Sequence, residues 1–260
     1  MKIVVIGASG RIGEKLVRNL LQEDCRVLQA SPTYGVDAVT GQGLAGALDG
    51  AEVVVDVSNS PSLEGADALR FFETAGRNLA AATEAAGVGH RIALSIVGTD
   101  RLQASDYFRA KKIQEDLLKA SSIPFSILRA TQFFEFISGI VQDGSVADVV
   151  ISPALVQPIA GEDIAEALAD LATGEPINRT VEIAGPERFR LNALAAEVLT
   201  AYEDPRPVVT DIHAPYFGAE LDDESLLPGE GALLGVLRFD DWLRQSLRGE
   251  PIQPQLQKTW

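Results

Sequence analysis

The sequence predicts an α/β fold, a doubly wound parallel sheet followed by a smaller C-terminal lobe. Three observations predict it. Short apolar runs alternate with helical segments of ten residues or more through the first half of the chain, the pattern of parallel strands joined by crossover helices. A glycine-rich turn joins the first run directly to the first helix. The chain has 260 residues, 46% hydrophobic and 23% charged, enough to bury a core in one large domain.

The elements follow in order. Lys2 to Ile6 is a continuous apolar run, as expected of a strand buried on both faces. Ile12, Leu16, Val17, Leu20 and Leu21 recur at helical spacing. Arg26 to Ala30 is a second strand, and Val36 to Thr40 is read as a short third. Glu52 to Val57 is the fourth. An Ala-rich helix runs from about Leu63 to Ala86, a fifth strand spans Arg91 to Ile96, a helix spans Tyr107 to Ala120, and Phe125 to Arg129 is the sixth strand. Beyond it, Val146 to Ile151 and Val181 to Ala184 read as strands. Asp163 to Ala172, Leu191 to Ala201 and Phe239 to Leu247 read as helices, with long loops from Pro205 to Gly235. No repeat or linker divides the chain. It is read as one domain, a core over about 1–145 and a lobe over about 146–260.

Composition excludes several classes. A single cysteine, Cys25, rules out a framework of intrachain disulfides. Lys and Arg number 22 against 37 Asp and Glu, a net charge of −15 that repels nucleic acid and anionic membrane. No apolar run approaches the roughly 18 residues of a bilayer span. The opening MKIVVIGASG has no signal-peptide pattern. The expectation is a soluble, cytoplasmic protein whose partner is a small molecule; oligomeric state is not legible.

The turn Gly7-Ala8-Ser9-Gly10-Arg11-Ile12-Gly13 has the spacing G-x-x-G-x-x-G in a strand–turn–helix context. Gly7 permits the tight turn, Gly10 lets a pyrophosphate approach the backbone, and Gly13 lets helix and strand pack closely. The helix start offers N–H groups and a positive dipole end. The alternative is a βα turn that is merely rich in glycine. After the second strand stand Ser31 and Thr33, where an NAD-selective site has Asp or Glu about 20 residues past the glycines. With Arg11 in the turn, these hydroxyls favour NADP(H) over NAD(H).

Tyr107 and Lys111 lie four residues apart, on one face of a helix. A lysine beside a phenol favours the phenolate and makes a general acid/base. Ser95, twelve residues upstream at a strand end, is placed to hold a substrate carbonyl. The alternative is an exposed helix face.

At this point the sequence resembles a known family, the atypical NmrA-like branch of the short-chain dehydrogenases/reductases. GASGRIG, VVVDVSNSPS, ALSIVGTD, YFRAKKIQED and SILRATQFFEF carry the resemblance over about residues 1–140, and QPIAGEDIAEAL and the GPE at Gly185 extend it more weakly. It implies an NAD(P)-binding Rossmann-type sheet and the catalytic set Ser95, Tyr107 and Lys111. Tyr107 would transfer the proton, Ser95 position the carbonyl and Lys111 hold the nicotinamide ribose. It assigns the cofactor to Gly7, Ser9, Gly10, Arg11, Ile12 and Gly13 of the turn, Ser31 and Thr33, Ser58 and Asn59, Lys111, and Ala130 and Thr131. Two positions depart from the family. Ala130 replaces a common proline, and Thr40-Gly41-Gln42-Gly43 offers no acidic residue to hold the adenine. The implied function is hydride transfer from NAD(P)H to a small carbonyl or quinone. A regulatory protein without turnover and a nucleotide-sugar epimerase or dehydratase are the alternatives.

Other residues are read more plainly. Cys25 is a small hydrophobe, His90 a surface or capping residue, and His213 a solvated loop residue beside Tyr216. Asp222, Asp223 and Glu224 are solvated carboxylates, and no metal site is expected. Phe133, Phe134 and Phe136 wall an apolar pocket or belong to the core.

Overall fold

The computed structural model describes residues 1–62, 65–137 and 148–249. Strand β1 (Lys2–Ile6) has no polar side chain after Lys2, so both its faces can be covered and it lies inside the sheet. It pairs in parallel with β2 (Arg26–Ala30) on one side and β3 (Val53–Asp56) on the other, Ile3 lying opposite both Val27 and Val53. Next come β4 (His90–Ile96) and β5 (Phe125–Ala130). With β8 (Arg179–Ala184) and β11 (Leu233–Leu234), they complete a seven-stranded parallel sheet in the order β11-β8-β5-β4-β3-β1-β2. The doubly wound α/β class is therefore the observed one.

The chain divides into two compact units. The first comprises residues 1–95, 106–129 and 165–181, and the second 96–105, 130–164 and 182–260. In the first, α1 (Arg11–Leu20) buries Ile12, Leu16, Val17 and Leu20. Helix α3 (Gly65–Ala85) packs on α4 (Asp106–Lys119) where a side chain on Gly76 would lie 2.8 Å from Leu117. That close approach fixes α4. Its buried stripe holds Tyr107, Lys111, Gln114, Glu115 and Leu118, so four polar groups face inward.

In the second unit β6 (Val149–Ile151) pairs with β10 (Val208–Thr210), and β7 (Leu155–Val156) pairs with β9 (Phe189–Arg190). The Asp163 carboxylate, in α5 (Gly161–Thr173), accepts the N–H groups of Val236 and Leu237. Helix α6 (Leu191–Ala201) buries Leu191, Leu194 and Val198. Helix α7 (Phe239–Arg248) brings Phe239 and Trp242 onto Phe134.

Several expectations change. Val36 to Thr40 is not a strand. The Asp37 carboxylate accepts the N–H groups of Val39 and Thr40 and winds the chain into a turn before the short helix α2 (Leu44–Leu48). The strands expected as fourth, fifth and sixth are thus β3, β4 and β5. The stretch from Pro205 to Gly235 contains β10 and β11, and β7 and β9 were too short to read. Leu63 and Val146, the expected starts of a helix and a strand, lie outside the described residues. Asp222 binds the Ser225 hydroxyl at 2.7 Å and Asp223 pairs with Arg190. Among the described residues no helix is long and apolar enough to cross a membrane.

His90 is also corrected. It is 3% exposed, and its Nε2 lies 2.8 Å from Ser126 Oγ. The Ser126 oxygen accepts the Ile177 N–H, leaving its own proton for an unprotonated Nε2. Burial pushes the imidazole pKa down to about 4. Because the folded value lies below the unfolded one, the unfolded chain binds more protons between about pH 6.5 and 4, and stability falls as pH falls through that window. The expected loss is about 3 kcal/mol from this group. Denaturant unfolding at pH 7 and pH 4 should show a smaller acid-side drop in His90→Gln than in the parent. An equal drop in both would show that His90 does not titrate as its burial requires.

Candidate functional site

The glycine turn ties three strands together at their carboxyl ends. The N–H groups of Gly7 and Ala8 both reach the Ala30 carbonyl, at 2.8 and 3.3 Å, which anchors the turn to the end of β2. Gly7 has φ +83°, and a side chain there would meet the Ser58 backbone at 2.7 Å, so the loop after β3 abuts the turn. A side chain on Gly13 would strike the Gly7 carbonyl at 2.2 Å, whereas one on Gly10 would meet only Gly7 O, at 3.2 Å. Gly10 therefore borders open space. It is the N-cap of α1 and carries no side-chain cap, and first-turn amides of a helix have no partner within the helix. Ser9 and Arg11 are exposed beside it, and Ile12 is buried beneath.

Ser31, at the end of β2, is 3% exposed, and its hydroxyl has no hydrogen-bond partner among the described residues. An orphaned buried hydroxyl is costly unless something binds it. Here it stands next to the turn, where an adenosine ribose would be held. Thr33 lies exposed in the 3₁₀ turn that follows. The turn, the positive end of α1 and this orphan fit a dinucleotide.

The loop after β3 supplies the next contacts. Asp56 Oδ1 accepts the Ser58 N–H and hydroxyl, at 3.0 and 2.6 Å, and Oδ2 accepts from Gln114 at 2.8 Å. Asn59 Oδ1 accepts the Tyr107 hydroxyl at 3.1 Å. Gln114 accepts in turn from Lys111, whose ammonium also binds the Leu94 carbonyl at 2.8 Å and lies 4.5 Å from the centre of the Phe72 ring. Lys111 is 4% exposed. Burial lowers its pKa to about 8 against the raising influence of Asp56 and Glu115.

The tyrosine differs from expectation. Burial pushes the Tyr107 phenol up to about 12, and the Asn59 bond lowers it only in part. The Lys111 ammonium is engaged by Leu94 and Gln114. Ser95 is also placed differently from the role implied for it. Its hydroxyl donates to Glu115 Oε1 at 2.7 Å and is fully buried. Glu115 is itself 0% exposed and accepts two bonds from Arg129, both 2.8 Å, with Lys119 at 3.1 Å. Burial alone would raise the Glu115 carboxyl, but the bonds from Arg129, Ser95 and Lys119 outweigh it and hold the pKa below the usual range.

The structure thus brings Tyr107 to Asn59 and links Lys111 through Gln114 to Asp56, while Ser95 joins Glu115 and Arg129. Asp56 opens the loop over 56–60 that the resemblance matches to the cofactor, but neither its own carboxylate nor Gln114 was singled out; the signal was a carboxylate closing an all-Val strand and a glutamine on the tyrosine's own helix face. In the second unit Ala130 is buried, and the Thr131 hydroxyl donates to the Gln157 carbonyl at 2.6 Å.

A family profile described as NAD(P)H-binding matches residues 7–175. Over 153 residues the chain is 27% identical to a photosystem II assembly factor of Cyanophora paradoxa, covering 54% of this chain and 48% of that one, about half its length. Over 214 residues it is 26% identical to a (4-alkanoyl-5-oxo-2,5-dihydrofuran-3-yl)methyl phosphate reductase of Streptomyces griseus, covering 75% and 72%. A solved short-chain dehydrogenase/reductase superfamily protein of Agrobacterium tumefaciens with bound NAD superimposes with a TM-score of 0.70 at 16% identity, over 95% of this chain and 96% of that one. The Bordetella bronchiseptica enzyme WbmG, solved with NAD, gives 0.68 at 18% identity over 95% and 93%. These two likenesses are likenesses of fold.

The glycine geometry separates binding from folding. Gly10→Val should keep its melting temperature within a few degrees yet lose calorimetric binding of NADPH, because its branches enter the space the turn leaves open. Gly13→Val should unfold at much lower temperature, since its side chain overlaps the Gly7 carbonyl. Full NADPH affinity in folded Gly10→Val would place the nucleotide elsewhere.

Proposed function

The chain belongs to the NAD(P)H-binding family, and from that premise we propose that it is an oxidoreductase that reduces a small carbonyl or quinone. The observation that carries this reading is the buried polar face of α4. A protonated phenol, Tyr107, lies one turn from an ammonium, Lys111, in the same unit as the glycine turn. The reductase activity named for the Streptomyces relative supports it.

When bound, the nicotinamide supplies a hydride for the carbonyl carbon. Tyr107, whose pKa of about 12 keeps it protonated at neutral pH, gives its proton to the carbonyl oxygen as negative charge develops there. Solvent then returns a proton to the phenolate. Lys111 has three N–H donors. Two go to Leu94 and Gln114, and the third is assigned to a ribose hydroxyl of the cofactor. Asn59, already bonded to the phenol, orients the tyrosine and offers its amide N–H groups to the substrate oxygen. NADP(H) is the preferred cofactor in this reading. The orphaned Ser31 hydroxyl, exposed Thr33 and Arg11, and a serine rather than a carboxylate at the end of β2 support that preference.

One observation favours a second reading, cofactor-dependent regulation without turnover. Ser95, the residue expected to hold a carbonyl, is bound to Glu115. The tyrosine decides between the two. Tyr107→Phe should retain NADPH affinity and lose about 10²–10⁴-fold in kcat/KM for an aldehyde. Absence of NADPH oxidation by the parent protein across aldehydes, ketones and quinones would favour regulation. Activity retained by Tyr107→Phe would remove this tyrosine as the acid.

The lysine gives a separate pH signature. Lys111 is charged below about pH 8 and neutral above it, so NADPH affinity should fall as pH rises from 7 to 9.5. In Lys111→Met the affinity should be lower at pH 7 and nearly independent of pH over that range. Calorimetry at the two pH values checks this, and an equal pH dependence in both proteins would contradict it.

A further inference from the structure

Phe136, Tyr216 and Phe217 form a half-buried aromatic cluster in the second unit. The rings of Phe136 and Phe217 stack with centroids 5.5 Å apart at 17°, and Tyr216 stands edge-on to both, at 6.5 and 4.8 Å. The neighbouring Phe134 behaves differently. It is fully buried against Phe239 and Trp242, so the core takes one ring of the FFEF run while Phe136 stays partly open.

Phe217 sits where a phenylalanine is disfavoured. Tyr216 and Ala219 exchange backbone hydrogen bonds of 2.8 and 3.1 Å across a two-residue turn. The central residues Phe217 and Gly218 have φ of +50° and +82°, the signs of a type I′ turn, which favours Asn or Gly at the first position. A bulky side chain at positive φ is strained, and such strain persists where the surroundings over-determine it, often at ligand clamps. A partly exposed ring held in that state has a use beyond closing the turn.

Position and charge indicate which use. In open α/β sheets, ligands bind outside the carboxyl ends of the strands. Phe136 follows the carboxyl end of β5 by six residues. Asp211, Glu220 and the run Asp222 to Glu224 flank the turn and disfavour an anionic ring. We infer that Phe136, Tyr216 and Phe217 form a stacking face for the ring of an uncharged, planar aromatic aldehyde, ketone or quinone. The reaction assigned to that carbonyl rests on the oxidoreductase reading; binding of the ring does not.

The test uses 4-nitrobenzaldehyde as the aromatic probe and butanal as the aliphatic one. Calorimetry of the NADP⁺-saturated protein should show 4-nitrobenzaldehyde binding that weakens about tenfold in Phe217→Asn and in Phe136→Leu. Discrimination between the two probes should fall by a similar factor. Phe217→Asn should melt at the same temperature or higher, because asparagine suits the turn. Three results would overturn the inference: no 4-nitrobenzaldehyde binding by the parent protein, unchanged binding in folded Phe217→Asn, or a lowered melting temperature with equal losses on both probes. Ring binding without NADPH oxidation would leave this face standing and remove only the oxidoreductase reading.

Discussion

The buried carboxylate of Glu115 holds the candidate site in place. It lies among β4, α4 and β5, with Ser95 and Arg129 on one oxygen and Arg129 and Lys119 on the other. An ion pair in such a place contributes little net stability, but removing one partner strands a buried charge at a cost of about 3–5 kcal/mol. The constraint is therefore geometric. It holds the buried face of α4, the face that also carries Gln114, Lys111 and Tyr107. Gln114 is turned toward Asp56, Lys111 toward the Leu94 carbonyl, and Tyr107 toward Asn59.

This arrangement also sets the protonation states. Burial lowers the Lys111 pKa to about 8, and the charges of Asp56 and Glu115 oppose that fall, so the ammonium keeps its proton at neutral pH. The phenol has no such support and stays protonated. One turn of helix thus presents a cation and a proton donor at neutral pH, the combination a carbonyl reductase needs.

Much of this was legible in the sequence. The apolar run from Lys2 to Ile6, the glycine turn and the strand–helix alternation through Phe125 left one sheet class, because the order of strands and crossover helices is set by apolar runs and helical spacing that are local in the chain. The Val36–Thr40 turn was not legible. Three apolar residues suggested a strand, and one Asp37 side chain capturing two N–H groups made a turn. The burial of His90 and the partner of Ser95 were not legible for a common reason. A polar residue in a strand looks exposed or catalytic until its partner is known, and Ser126, Glu115 and Arg129 lie far along the chain. Phe134 and Phe136 were inseparable for the same reason, since only Trp242, Phe239 and Phe217 tell them apart.

On the function proposed above, the nucleotide lies along the first unit, from the Gly7–Gly13 turn to Lys111 and Tyr107. A crystal structure grown with NADP⁺ measures this directly. The pyrophosphate should lie on the amino-terminal end of α1, the adenosine ribose at the Ser31 hydroxyl, and a nicotinamide ribose hydroxyl within about 3.2 Å of Lys111 Nζ, an ordinary hydrogen-bond distance. A nucleotide bound away from the turn, or one whose nicotinamide ribose leaves Lys111 engaged only by Leu94 and Gln114, would contradict it.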